Sequence, residues 1–96
     1  MRIMMTPSEM YDAANFMRQK LEAITSEMND LRNRVDDTAS RWEGKAKDAF
    51  VPMFSEAHTQ VQNALYESIT GLSTALDESA RAIEETDASI AGAFKG

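Results

Sequence analysis

The chain has 96 residues, no cysteine and a formal net charge of −6, with 43% hydrophobic but only 7% aromatic residues. One domain at most is expected, and neither a disulfide framework nor a thiolate metal site is available. The acidity argues against nucleic acid, whose phosphates need Lys and Arg, and against electrostatic binding to anionic lipid.

The start, MRIMMTPSEM, lacks the apolar core of a signal peptide, and nothing approaches the roughly 20 apolar residues of a membrane span. No stable membrane insertion is expected. Thr6-Pro7-Ser8-Glu9 carries a threonine N-cap, proline at the first helical position and glutamate three residues past the cap. This is a capping box. Apolar residues then recur at alternating steps of four and three: Met10, Ala14, Met17, Leu21, Ile24, Met28, Leu31 and Val35. The same steps continue through Thr38 to Trp42. That spacing is a heptad seam, and no Gly or Pro lies between Ser8 and Glu43. A first helix is predicted over about 7–40, roughly 50 Å long.

Residues 41–44, Arg-Trp-Glu-Gly, form the expected turn, with Gly44 supplying a positive φ or a close approach. Trp42 either closes the end of a helical bundle or also offers a contact surface.

A second run follows: Phe50, Phe54, Ala57, Val61, Leu65, Ile69, Leu72, Leu76, Ala80, Ile83, Asp87 and Ile90. Its mean step of about 3.6 residues is that of a straight helix, predicted over about 45–90 with a short tail beyond. Pro52 should kink this helix or loosen its first turn. Gly71 is either a point of close helix approach or a tolerated surface glycine. Five pairs four residues apart support solvated faces: Arg18–Glu22, Asp30–Arg34, Arg32–Asp36, Asp77–Arg81 and Arg81–Glu85. Glu84, Glu85 and Asp87 near the expected end oppose the helix macrodipole, which points to another constraint such as a docking signal, or to a solvated tail.

So short a link predicts an all-α antiparallel helix-turn-helix hairpin, a single domain over 1–96. Two helices bury only one seam, so two hairpins are expected to associate into a four-helix bundle. The seam residues assigned to core and dimer contact are Met17, Leu21, Ile24, Met28, Leu31, Val35, Phe50, Phe54, Val61, Leu65, Ile69, Leu72 and Leu76.

Chemistry finds little footing. His58, the single histidine, has no ligand partner at helical spacing and is read as solvent-facing or at the seam edge. Met10, Met17, Met28 and Met53 fall on or beside the seam, as packing residues do. Asp36-Asp37 reads as a solvated face, and no phosphate loop or activated nucleophile is present. No enzyme, metal or cofactor is expected.

These residues resemble the WXG family of type VII secretion substrates (Trp-X-Gly, about one hundred residues, ESAT-like). The likeness covers the whole chain: its length and helical plan, Trp42-Glu43-Gly44 at the turn, and Ala46, Ala49-Phe50 and Phe54 after it. Thr86-Asp87-Ala88-Ser89-Ile90-Ala91 is similar to the family's tail. The resemblance implies export without a cleaved signal peptide, through an FtsK/SpoIIIE-type ATPase, as a folded homodimer or a heterodimer with a second WXG-type chain. It also implies an export signal that pairs the turn with Tyr-X-X-X-Asp/Glu near the end of helix two. Here Asp87 supplies the acid, but Ile83 stands in the tyrosine's place and Tyr66 comes too early. Either Ile83 suffices, or a partner carries the signal and this chain is the non-signalling half of a heterodimer or an adaptor for a larger toxin. A cytoplasmic coiled-coil structural protein is the reading from a different class.

Overall fold

The structure is a computed structural model and describes residues 5–95. Two helices account for nearly all of it, α1 over Pro7–Ser40 and α2 over Lys45–Lys95, with no strand among the described residues. The fold is the antiparallel helix-turn-helix hairpin that the sequence predicts. Its chain divides into two compact units, Met1–Gln19 with Ile69–Gly96, and Lys20–Ser68.

The capping box forms as expected. The Glu9 amide donates to Thr6 Oγ1 at 3.2 Å, and the Thr6 amide donates to Glu9 Oε2 at 3.3 Å. Both orphan donors are thereby satisfied, and Pro7 starts α1.

α2 continues to Lys95, beyond the predicted end near 90. Ala88, Ala91 and Ala93 favour helix there, and no proline follows to stop it. This also corrects the reading of Glu84, Glu85 and Asp87. They lie two turns or more before the helix end, where the macrodipole has little effect. Helical structure runs through Pro52 unbroken. The proline leaves the Asp48 carbonyl without its usual amide donor, and Asp48 is exposed, so water can take that place. Gly71 is exposed and a Cβ there would meet nothing within 4 Å, so no helix of this chain approaches it closely.

In the unit that joins the start of α1 to the end of α2, the buried residues are small: Ala14, Ser73 and Ala80 are fully buried, with Met10 beside them. The Ser73 hydroxyl donates to the Thr70 carbonyl at 3.0 Å, which removes the cost of burying it. Arg18 pairs with Asp77 across the helices and with Asn15 at 3.2 Å, rather than with Glu22. None of the five pairs predicted at four-residue spacing forms an ion pair among the described residues; Arg41–Asp37 does. The cross-helix geometry favours Arg18–Asp77, because Asp77 is half-buried and needs a cation more than exposed Glu22 does. Tyr11 hydrogen-bonds to Glu84 in the same unit, and this bond, followed by desolvation, raises the phenol's pKa above its ordinary 10.0.

Candidate functional site

The turn is built within the Lys20–Ser68 unit. α1 closes with tight bonds from the Arg41 amide to the Thr38 carbonyl (3.1 Å) and from the Trp42 amide to the Ala39 carbonyl (3.2 Å). The Ser40 hydroxyl donates to the Asp37 carbonyl at 2.6 Å, and Arg41 pairs with the Asp37 carboxylate. These bonds satisfy carbonyls that the end of a helix leaves open. Gly44 then takes φ +122°, a conformation that side-chain-bearing residues rarely adopt, with open space around it. Of the two roles predicted for Gly44, a positive φ or a close approach, the first is the one it fills. Its carbonyl accepts the Asp48 amide at 3.2 Å and so opens α2.

Trp42 packs on Phe50 with ring centroids 5.9 Å apart and the planes tilted by 50°. Phe50 stacks on Phe54 at 6.1 Å, and Phe54 meets His58 at 5.6 Å. Four rings thus run from the turn along the first turns of α2. Trp42 stays 38% exposed and, with Arg34, Val35, Thr38, Ala39 and Phe50, lines a groove beside the turn. Glu43 and Gly44 are exposed.

His58 departs from expectation. It is only 4% exposed, and its Nε2 lies 2.7 Å from the Met28 carbonyl. A carbonyl only accepts, so Nε2 carries the proton in this contact. Nδ1 is buried with no partner.

The seam residues divide into two groups. Met17, Leu21, Ile24, Met28, Val35, Phe54, Leu65, Ile69 and Leu76 are half-buried, while Leu31, Phe50, Val61 and Leu72 are exposed. On α2 two of the buried positions fall one residue later than the apolar run, His58 rather than Ala57 and Ser73 rather than Leu72, while Ala80 of the run is itself buried. On α1 the run positions Met10 and Ala14 are buried in register, but near the turn Ala39 is inside and Thr38 exposed. Sequence reasoning missed His58, Ser73 and Ala39 as the buried contacts. Only Ser73 directly follows a large apolar residue, Leu72; His58 and Ala39 follow Ala57 and Thr38, and no local signal marks them.

In the Lys20–Ser68 unit, Leu31, Phe50, Met53, Val61 and Tyr66 remain exposed, Met53 by 68%. Two apolar grooves open there. One is lined by Lys20, Ala23, Ile24, Glu27, Met28 and Leu31, the other by Met28, Leu31, Phe54, Ala57, His58 and Val61. The other unit exposes Phe16 and Leu72. It also contains Ile83, half-buried, and Asp87, exposed, which with Ala82 and Thr86 line a shallow groove. Neither compact unit contains both Trp42 and Asp87. Among the described residues no group of His, Asp and Glu is placed to hold a metal ion.

A family model described as "Proteins of 100 residues with WXG" matches residues 2–88. The chain belongs to this WXG100 family. It is 23% identical over 94 residues to Protein YukE of Bacillus subtilis (strain 168), covering 98% of this chain and 96% of that protein. WXG100 membership makes the chain a small helical protein associated with type VII secretion. Among its described residues no helix is long and apolar enough to cross a membrane.

Proposed function

We propose that this WXG100 chain is exported by a bacterial type VII (ESX/Ess-like) secretion system without a cleaved signal peptide, and acts through protein contacts as a dimer of hairpins. The observation that carries the dimer is the set of exposed apolar side chains. Leu31, Phe50, Met53 and Val61 in one unit and Phe16 and Leu72 in the other stay exposed. Apolar exposure on this scale in a small protein marks an association surface. Pairing two such hairpins into a four-helix bundle covers it, and WXG100 chains generally pair with WXG partners.

Trp42-Glu43-Gly44 and the pair Ile83 and Asp87 are the proposed export signal, read by an FtsK/SpoIIIE-type ATPase. Exposure of Trp42, Glu43 and Asp87 supports this, since a recognised group must be reachable. Secretion from the native host tests it. Trp42→Ala, and separately a chain ending at Ala80, should each abolish export while cytoplasmic levels persist. Export unchanged in both defeats the reading.

Ile83 in the tyrosine position favours a second reading, in which the chain is the non-signalling partner or adaptor of another exported WXG-type protein or toxin. Under it, export of this chain stops when that partner's gene is deleted.

A further inference from the structure

Among the described residues, His58 Nδ1 is the buried side-chain atom left without a hydrogen-bond partner. The ring is 4% exposed. It ties α2 to α1 within the Lys20–Ser68 unit through one bond, from Nε2 to the Met28 carbonyl at 2.7 Å. Its surroundings are apolar. Phe54 lies 5.6 Å away between ring centroids, and Met28, Leu31, Ala57 and Val61 line the same groove.

This contact fixes the protonation state of the ring. The carbonyl only accepts, so Nε2 holds the proton and neutral Nδ1 stays bare. A second proton, taken up by the Nδ1 lone pair, turns an unpartnered acceptor into an unpartnered donor and gives the ring a full charge. The cation strengthens the bond from Nε2 to the carbonyl. Against that gain stands a buried charge with one N–H unanswered, and the second effect is the larger. No countercharge offsets it. The charged residues within one turn of the contact are Glu56 on α2 and Glu27, Asp30 and Arg32 on α1, all of them exposed. The ion pairs among the described residues leave His58 out. A ring that gains its second proton therefore moves to water, and the Met28 contact opens.

We propose that the His58–Met28 contact is an acid-released latch of the Lys20–Ser68 unit, closed while the ring is neutral and opened by a proton at Nδ1. Opening takes His58 away from Phe54, which stacks on Phe50, which in turn packs on Trp42. The loosening thus runs along the rings towards the turn. The sign follows from proton counting. Histidine in an unfolded chain gains its proton at about pH 6.5. On the acid side of that value the opened unit binds more protons than the closed one, so the closed unit loses stability as the pH falls. Carboxylates stay largely ionised down to about pH 5.5, so the range from about pH 7 to about pH 5.5 reads the histidine.

Nuclear magnetic resonance on the purified full chain tests this, because a single histidine gives a single set of ring signals. Long-range nitrogen–proton correlation should show the neutral ring protonated at Nε2 at about pH 7. Amide exchange, corrected for its intrinsic pH dependence, is followed at the same time. Protection of the core amides in residues 20–68 should fall by about fivefold or more between about pH 7 and about pH 5.5. His58→Gln keeps a donor near the Nε2 position and does not titrate, so its protection should change by less than about twofold over that range.

Protection that ignores pH in the wild type, or falls equally in His58→Gln, overturns the latch. Should His58→Gln not fold, the wild-type ring decides: a ring that gains its second proton at about pH 6.5 with protection intact overturns the proposal. Neither outcome touches the export or dimer readings.

Discussion

Gly44 is the residue on which the hairpin turns. Its φ of +122° lies where a Cβ is strained whatever the free space around it, so Gly44→Ala should destabilise the fold by about 1–2 kcal/mol. Urea unfolding followed by circular dichroism measures this. Tyr11 is a second residue with a specific expectation. Its bond to Glu84 raises the phenol's pKa, so the folded chain favours the neutral form. The stability this gives is fully present below pH 10.0 and is lost as the pH rises through the folded value. Glu84→Ala should bring the Tyr11 titration down towards 10.0, read as phenolate absorbance in a Tyr66→Phe background.

At the scale of the helix, the start of α1 and the turn were legible, and the end of α2 and the rotation were not. Thr6, Pro7 and Glu9 announce the start of α1 because cap chemistry is local: each group finds its partner within one turn. Thr6→Ala should accordingly cost about 1 kcal/mol of stability, measured in the same urea transition. The turn was legible for the same reason, Gly44 being the single residue there able to take a positive φ. Which side of α2 faces α1 was not, because the apolar stripe is wider than one contact and two surfaces compete for it. Hydrophobicity alone chose Ala57, Val61 and Leu72. The hairpin instead buries His58 and Ser73, whose polar groups find the Met28 and Thr70 carbonyls, and leaves Val61 and Leu72 outside. The surface pairs failed similarly: four-residue spacing identifies neighbours, but Arg18 had a stronger demand from Asp77 on the other helix.

For the molecule as a whole, the buried set is small: Met10, Ala14, Ala39 and Ala80 with His58 and Ser73 among the described residues. Under the proposed dimer, a 96-residue chain with so little interior gains much of its stability from pairing. The melting temperature of the purified protein should therefore rise with protein concentration, as linkage to dimerisation requires. Val61→Glu, a charge on the exposed apolar side, should lower the melting temperature and flatten that dependence. Scanning calorimetry over a hundredfold concentration range measures both.

The aromatic residues also give the chain two built-in optical probes. Trp42, the sole tryptophan, packs on Phe50 in the Lys20–Ser68 unit, so its fluorescence follows the turn without any label. Tyr11 sits in the other unit, bonded to Glu84, and in a Tyr66→Phe background its near-ultraviolet signal follows the joined ends of the helices. Comparing the two through one denaturant series asks whether the units come apart together: coincident transitions mean one cooperative body, and separated ones mean that the chain opens from one unit first.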